Sequence, residues 1–267
     1  MILRKKLPVA LTIAGSDSGG GAGVQADLKT FAALGVHGTS AIACLTAQNP
    51  KRVLGIETVS PKMLRQQIEA VFEELNPRAV KTGMLFSAKN ISVVADFFQN
   101  SKFKTRNLIL VVDPVLVSTS GAKLLEPGAL DIFREKLLPL AILVTPNLSE
   151  AEILSGQKIS AIKEMRAAAK KIHSRFGCAV LVKGGHLKNA GAAVDIFYDG
   201  KTELLLSAPF VKGTRTHGTG CVYSAAICAV LALGNDLPQA VQIGKKFVTS
   251  AISKSCKIGN HFALGNF

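Results

Sequence analysis

Short apolar runs alternate with amphipathic helical patterns along most of this 267-residue chain, and this alternation most constrains its fold. The runs are nearly continuously apolar, as strands are when both faces of a sheet are covered. We predict six such strands, at residues 7–14, 40–45, 79–82, 108–112, 141–144 and 179–182. Strands separated by helices form parallel sheets, so we predict a three-layer α/β/α fold with a mostly parallel central sheet, in one domain spanning residues 1–267.

The segments between and after these strands predict helices and one hairpin. A helix is expected after Ser60-Pro61 and another after Ser160, because apolar residues recur there every three or four positions. Residues 194–198 and 203–206 flank an Asp-Gly turn signal, which predicts an antiparallel edge hairpin. Two further helices are expected near the C terminus, the first rich in small residues at 222–231 and the second at 237–256.

The charge and cysteine content limit the possible partners. The net charge is +14 at pH 7, but the basic residues are scattered, and two Tyr and no Trp offer no base-stacking platform. We therefore expect no nucleic-acid partner. The positive charge would help to attract an anionic substrate such as a nucleotide, but an ordinary solvated surface is the favoured interpretation. No run approaches the roughly 18 apolar residues of a membrane span, so no membrane association is expected. Five cysteines without a C-x-x-C pair predict a reduced, cytoplasmic protein.

A glycine-rich stretch at residues 15–23 follows the first strand. It is not a dinucleotide fingerprint, because the third glycine would fall at Val24, and it lacks the Gly-Lys-Ser/Thr of a P-loop. It also lacks the G-x-S-x-G spacing of a nucleophile elbow. A loop at the carboxyl end of a parallel strand is where α/β proteins bind ligands, although a plain connection remains the alternative.

Charged residues follow three neighbouring strands. Asp113 follows strand 108–112, and Glu150 lies shortly after strand 141–144. Two carboxylates at one sheet edge can hold Mg²⁺, mostly through water, or each can cap the helix that follows it. Lys183 and two glycines end the next strand, which suits a phosphate group or an ordinary loop.

The stretch Thr216-His217-Gly218-Thr219-Gly220-Cys221 precedes the small-residue helix. Its glycines leave backbone N–H groups exposed where the helix dipole is positive, an arrangement that binds anions. Cys221 falls in the first turn, where we expect the dipole to lower the pKa of the thiol and to favour a thiolate that accepts a proton. The alternative is a glycine-softened helix start with a buried cysteine.

Together, these motifs resemble the hydroxymethylpyrimidine kinase/phosphomethylpyrimidine kinase family of thiamine biosynthesis, within the ribokinase-like superfamily. No single motif is specific, but their order along the chain is. The matching stretches are residues 14–18, 20–29, 45–49, 81–84, 112–115, 145–151, 182–186 and 216–221.

The resemblance implies a ribokinase-like fold and an enzyme that uses ATP and Mg²⁺ to phosphorylate 4-amino-5-hydroxymethyl-2-methylpyrimidine to its monophosphate and then to the diphosphate. Relatives are commonly dimers, so a homodimer is expected. The implied roles are substrate contacts at Gln48, Gly15, Asp27, Met84 and Val115; nucleotide contacts at Lys183, Thr145, Asn147, Thr214 and Thr219; Mg²⁺ at Asp113 and Glu150; and catalysis at Gly218, Gly220 and Cys221, with Cys221 as the base.

Three residues depart from the family pattern. Arg215 precedes the Thr-His pair where a small polar residue is usual, Val222 replaces a threonine after the cysteine, and Pro50 follows Gln48-Asn49. None of them removes a proposed catalytic group. They leave open the shape of the nucleotide loop and of the pocket rim.

Three other functions remain as alternatives. A pyridoxal or pyridoxine kinase of the same superfamily acts on a similar flat heterocycle with a hydroxymethyl group. An acyl-transfer enzyme would pair Cys221 with His217, but no third orienting group is evident. A non-catalytic pyrimidine sensor is disfavoured because Asp113, Lys183 and Cys221 are all retained.

Overall fold

The computed structural model describes residues 6–99, 108–116, 124–185, 187, 191–211 and 217–265. Nine strands form one sheet, and two short strands form a separate hairpin. The strands are β1 Val9–Asp17, β2 His37–Asn49, β3 Arg52–Thr58, β4 Ala79–Thr82, β5 Ile109–Val112, β6 Leu143–Val144, β7 Ala179–Gly184, β8 Ala193–Tyr198, β9 Glu203–Ala208, β10 Cys256–Ile258 and β11 His261–Ala263.

Helices connect most of these strands. After the short helix that ends at Ile132, the chain continues as a π-helical turn, Phe133–Leu137, and a 3₁₀ turn, Leu138–Leu140. The helices are α1 Gly23–Ala33, α2 Pro61–Glu74, α3 Ala88–Gln99, α4 Ala129–Ile132, α5 Leu148–Ser155, α6 Ile162–Phe176, α7 Thr219–Ala232 and α8 Leu237–Ser253.

The large sheet has the order β3-β2-β1-β4-β5-β6-β7-β8-β9. Strands β2, β1, β4, β5, β6 and β7 are parallel to one another, whereas β3, β8 and β9 run antiparallel to their neighbours or form the edge hairpin. This confirms the predicted mostly parallel sheet and the antiparallel hairpin. Because parallel strands end at the same edge, the residues that follow β1, β4, β5, β6 and β7 are brought together there.

Helices cover both faces of the sheet. One face packs against α2 to α6 through a large apolar cluster, and the other packs against α1, α7 and α8. Helix α7 is buried on nearly all sides from Val222 to Ala232, which explains its small, apolar sequence. The structure therefore has the predicted three layers, and α7 lies in contact with the strands that end at the site.

The helix boundaries follow from local sequence signals. The Ser60 hydroxyl accepts a hydrogen bond from the backbone N–H of Met63, and Pro61 occupies the first turn of α2, as the Ser-Pro pair predicted. The buried residues of α2 are Leu64, Ile68 and Phe72, one turn apart. No helix among the described residues is both long enough and apolar enough to cross a membrane.

Strands β2 and β3, helix α8 and the β10–β11 hairpin differ from the sequence-based expectations. Strand β2 continues to Asn49, beyond the predicted end at residue 45. Strand β3 was not predicted, because the side chains of β3 are mostly exposed and form no apolar face. The Asn49 side chain accepts N–H bonds from Lys51 and Arg52, so Pro50 lies in a tight turn between the two strands. Helix α8 ends at Ser253 rather than at residue 256, and the β10–β11 hairpin that follows was also not predicted.

Candidate active site

The loop after β1 is organised by a buried aspartate. Asp17 ends β1, and its carboxylate accepts hydrogen bonds from the backbone N–H groups of Gly19, Gly21 and Ala22 at 2.8–3.1 Å. These N–H groups are therefore committed to the protein itself. The loop connects β1 to α1 in a fixed conformation at the edge where the parallel strands end.

The start of α7 lies directly against this loop. Gly218 has a φ of +81°, and a Cβ there would lie 1.9 Å from the carbonyl oxygen of Gly21. Only glycine combines this backbone conformation with this close approach. No side chain among the described residues caps the N-terminus of α7. The predicted binding of an anion at the positive end of this helix stays a prediction.

Cys221 lies in the first turn of α7, as the sequence indicated, but its thiol is not acidic. Burial raises the pKa of the Cys221 thiol to about 11, because the nearby Lys81 cation and the Gly23 N–H only partly offset the lost hydration. The expected lowering of the pKa by the helix dipole is therefore wrong for the ligand-free protein. Desolvation of the sulfur outweighs the dipole.

Beneath this turn lies a buried ion pair. Lys81 Nζ contacts both carboxylate oxygens of Asp27 at 2.7 and 2.8 Å, and the Thr12 hydroxyl donates to the same carboxylate at 2.6 Å. Both charged side chains are 0% exposed. The predicted contact between Asp27 and the substrate is therefore not supported, because its carboxylate faces the interior and is fully engaged there.

Asp113 and Lys183 meet at the ends of β5 and β7. Lys183 Nζ donates to Asp113 Oδ1 at 3.0 Å, and the Ser224 hydroxyl of α7 donates to Oδ2 at 3.1 Å. Burial alone would raise the pKa of Asp113, but Lys183 and Lys81 outweigh it and lower that pKa. The carboxylate is thus held ionised beside the lysine.

Thr145, predicted to contact the nucleotide, has a different position. It is fully buried, and its hydroxyl donates to Asp113 Oδ1 at 3.2 Å. It therefore orients the aspartate instead of presenting its side chain to a ligand. This hydrogen bond links the end of β6 to the end of β5.

Glu150 and Asn147 form a capping box at the start of α5. The Asn147 side chain accepts the Glu150 N–H at 3.0 Å, and Glu150 Oε2 accepts the Asn147 N–H at 2.9 Å. The other Glu150 oxygen accepts the Leu116 N–H at 3.1 Å. The helix-capping alternative is thus confirmed for Glu150, while the predicted Mg²⁺ contact stays a prediction, as does the nucleotide contact of Asn147.

Gly220 lies over the Lys183–Asp113 pair. A Cβ at this position would lie 3.1 Å from Lys183 Nζ and 3.8 Å from Asp113 Oδ2. The missing side chain therefore allows the first turn of α7 to approach the ion pair. This contact combines a helix N-terminus, a lysine and an aspartate within one small volume, as phosphoryl-transfer sites require.

Gln48 ends near the same edge, next to His217. Gln48 Nε2 lies 2.9 Å from His217 Nε2, and the latter atom lies 3.5 Å from Asp17 Oδ2. Sequence reasoning considered His217 only as a partner of Cys221. It missed the contact with Gln48 because the two residues are 169 positions apart, and no local pattern signals such a pair.

Three predicted pocket residues surround one buried cysteine. Met84 and Val115 belong to a small apolar cluster with Cys44, and a Cβ on Gly15 would lie 2.8 Å from the Cys44 sulfur. Val115 has a φ of +46°, which is strained for a β-branched residue and is typical of functional sites. The structure thus brings Gly15, Met84 and Val115 together, as the resemblance implied.

Two predicted nucleotide contacts remain. Thr219 is the first residue of α7 and is partly exposed next to Gly218 and Gly220. Thr214 lies outside the described residues, as do Arg215, Thr216 and His186. The contacts of both threonines with a nucleotide stay predictions.

A family model and the similar proteins of known function point to the same family. The family model described as phosphomethylpyrimidine kinase matches residues 17–266. A hydroxymethylpyrimidine/phosphomethylpyrimidine kinase of Rhizobium meliloti is 48% identical over 94% of this chain and 92% of its own length. The thiamine biosynthesis bifunctional protein ThiED of Geobacter sulfurreducens is 46% identical over 93% of this chain, which spans half of that protein.

A solved structure shows the same architecture. The ADP complex of Bacillus subtilis pyridoxal kinase is 36% identical to this chain, with a TM-score of 0.87 and coverage of 97% of both chains. A structure similar over this length at this identity supports the three-layer fold.

Proposed function

This chain belongs to the phosphomethylpyrimidine kinase family, and from that premise we propose that it transfers the γ-phosphoryl group of ATP to 4-amino-5-hydroxymethyl-2-methylpyrimidine and then to the resulting monophosphate. One observation carries the proposal. The N-terminus of α7, which no side chain among the described residues caps, lies with Cys221 beside Lys183 and Asp113, at the edge where Gln48 also ends.

The substrate pocket lies between Gln48 and the cluster of Gly15, Met84 and Val115. The Gln48 amide offers a donor and an acceptor, which matches the ring nitrogen and amino group of an aminopyrimidine. The apolar side chains of Met84 and Val115 suit the faces of a flat ring. This arrangement holds the hydroxymethyl group towards Cys221.

The transfer itself needs charge stabilisation more than covalent chemistry. The N–H groups of the first turn of α7 bind oxygens of the transferring phosphoryl group, and the helix dipole favours their negative charge. Lys183 exchanges its contact with Asp113, at 3.0 Å, for a phosphate oxygen when the nucleotide binds, because carboxylate and phosphate oxygens are both anionic acceptors for an ammonium group. Gly220 leaves the space in which this exchange takes place.

Cys221 removes the proton from the substrate hydroxyl during the first transfer. A thiol whose pKa is about 11 is mostly protonated at neutral pH, but its thiolate is a correspondingly strong base. Lys81 and the Gly23 N–H stabilise that thiolate. In the second transfer the nucleophile is a phosphate oxygen that is already anionic, so this base is not needed.

The carboxylates of Asp113 and Glu150 fit a magnesium ion by their chemistry. Both offer the oxygen ligands that Mg²⁺ prefers, and both are buried near Lys183. Among the described residues, no three His, Cys, Asp or Glu side chains lie close enough together to hold a metal ion by themselves. When bound, such an ion neutralises charge on the phosphates.

A pyridoxal kinase activity is the second candidate, and the similarity to the Bacillus subtilis structure favours it. ATP consumption measured with hydroxymethylpyrimidine and with pyridoxal, at matched concentrations, separates the two. We expect the kcat/KM for hydroxymethylpyrimidine to be the larger. A larger value for pyridoxal contradicts the proposal and supports the second candidate.

The assembly and location complete the proposal. We propose a homodimer that works in the cytoplasm on a small-molecule substrate. Light scattering coupled to size-exclusion chromatography tests the dimer. A mass of one 28.1 kDa chain at micromolar concentration contradicts it.

A further inference from the structure

We propose that His217 is a positioning residue that sets substrate specificity: together with Asp17 and Thr46, it fixes which way the Gln48 amide faces. This rests on the proposed function, in which Gln48 contacts the edge of the pyrimidine. A side-chain amide has an oxygen that accepts and a nitrogen that donates, and a rotation of 180° exchanges the two. The neighbours of Gln48 decide between these orientations.

Only the amide end of Gln48 is free to turn. Its backbone N–H donates to Ser18 Oγ, and its backbone oxygen accepts from the same hydroxyl, each at 2.8 Å. The amide itself has one neighbour on each side. His217 Nε2 lies 2.9 Å from the amide position assigned as Gln48 Nε2, and Thr46 Oγ1 lies 3.2 Å from the one assigned as Oε1. The two ends of an amide have nearly the same shape, so their hydrogen-bond partners decide which end is the oxygen.

Thr46 constrains one side of the amide. Its hydroxyl has a single proton and lies 2.9 Å from the backbone oxygen of Ser16, which can only accept. With the proton given to Ser16, the Thr46 oxygen is left as an acceptor. The amide atom facing Thr46 is then the nitrogen, which donates to it.

Asp17 constrains the other side through His217. Hydrogen bonds from His217, Gly19 and Ala22 outweigh burial and lower the pKa of Asp17, so it is an ionised acceptor. His217 Nε2 lies 3.5 Å from Asp17 Oδ2, and the ring also packs on Gly21, whose Cβ would lie 3.3 Å from Cδ2. A nitrogen that faces a carboxylate carries the proton.

The two constraints select the same orientation. A protonated Nε2 has no lone pair and cannot accept a hydrogen bond from the amide nitrogen 2.9 Å away. We therefore infer the reversed amide, in which the Gln48 oxygen faces His217 and shares the Nε2 proton with Asp17, and the nitrogen faces Thr46. Thr46 and His217 reach the amide from different elements, β2 and the segment before α7. Because two independent neighbours select the same orientation, the Gln48 amide presents its donor and its acceptor to the substrate in one fixed arrangement.

A fixed amide discriminates between pyrimidines of the same shape. A 4-aminopyrimidine presents an acceptor ring nitrogen beside a donor amino group, whereas the 4-oxo counterpart presents a donor N–H beside an acceptor oxygen. An amide in a fixed orientation forms both hydrogen bonds with the 4-amino ring, but places donor against donor and acceptor against acceptor with the 4-oxo ring. An amide that turns freely can form hydrogen bonds with both rings. Polar groups left without hydrogen-bond partners in a site weaken binding, so the fixed Gln48 amide disfavours the 4-oxo ring.

The test compares kcat/KM for hydroxymethylpyrimidine and its 4-oxo counterpart in the wild type, His217→Leu and His217→Gln. We expect the wild type to prefer the amino compound by about 10²-fold or more and the leucine variant to lose at least about tenfold of that preference. The glutamine variant should retain it, because an amide N–H replaces the donor Nε2–H. An unchanged ratio in His217→Leu, or a wild type without preference, overturns the proposal.

A second measurement does not depend on how the variants fold. The ¹⁵N chemical shifts of the His217 ring in the ligand-free wild type report which nitrogen carries the proton. We expect a protonated Nε2, and an unprotonated Nε2 overturns the proposed orientation. If the wild type phosphorylates neither pyrimidine, the proposed function fails, whereas this spectrum still decides the hydrogen-bond arrangement.

Discussion

The Lys183 ammonium nitrogen lies 3.0 Å from Oδ1 of Asp113 and so joins the carboxyl ends of β7 and β5. This contact pairs the two charges with each other. In the proposed function, a phosphate oxygen of the nucleotide competes with the carboxylate for the same lysine, so ATP binding has to rearrange this ion pair.

Replacement of Lys183 tests this competition. We expect Lys183→Met to raise the KM for ATP by about tenfold or more, since a charge-assisted contact to phosphate contributes about 1.5–3 kcal/mol. Lys201→Met, in the exposed turn between β8 and β9, is the matched control and should leave the KM unchanged. Equal KM values for both variants contradict the assigned role of Lys183.

Cys221 should matter for only one of the two transfers. We expect Cys221→Ala to slow the first phosphorylation by about 10²-fold, the scale of a lost general base, and to slow the second much less. Separate rates for the two steps come from assays that start with the alcohol or with its monophosphate. Equal losses in both steps contradict the base assignment.

The high pKa of the Cys221 thiol also predicts a pH dependence. Below a pKa of about 11, the thiolate fraction rises tenfold with each pH unit, so the first transfer should speed up from about pH 6.5 to about pH 8.5 in the wild type. The Cys221→Ala variant should show no such rise. A flat wild-type profile under conditions where chemistry limits the rate argues against proton transfer to the thiol.

Sequence patterns predicted the fold well because most of its determinants are local. The apolar runs of β1, β4 and β5 and the spaced apolar residues of α2 and α6 appear directly in the sequence. Strand β3 was missed because its exposed side chains show no alternation of apolar and polar residues. Its hydrogen-bonded pairing with β2, which the local sequence does not reveal, stabilises it.

Replacing one partner of the buried Lys81–Asp27 pair should lower the free energy of unfolding strongly, whereas replacing both partners should lower it much less. Lys81→Met leaves an unpaired buried carboxylate, so we expect a loss of about 3–5 kcal/mol in the free energy of unfolding. Adding Asp27→Asn removes that charge and keeps an oxygen for Thr12, so most of the loss should be recovered. Denaturant unfolding measures both, and a double variant no more stable than Lys81→Met contradicts this account.

Gly220 should be required for catalysis rather than for folding. In Gly220→Ala the new Cβ presses on Lys183 Nζ, so we expect kcat to fall by about tenfold or more with little change in the melting temperature. Gly55→Ala in β3 is the control, because no atom lies within 4 Å of its Cβ position. Wild-type kcat in Gly220→Ala contradicts the assigned contact.

The site was predicted less completely than the fold. The edge shared by Asp113, Glu150 and Lys183 follows from strand order, and the structure brings these residues together. The interior positions of Asp27 and Thr145, and the high pKa of Cys221, depend on burial that arises only in the folded chain. The approach of His217 to Gln48 likewise depends on tertiary contacts.

The most direct test of the central claim is mass spectrometry of the products formed from hydroxymethylpyrimidine with Mg-ATP. We predict that the monophosphate appears first and the diphosphate later, with ADP formed in step with each added phosphoryl group. The absence of both phosphorylated pyrimidines, with the substrate intact and the protein folded, would contradict the account.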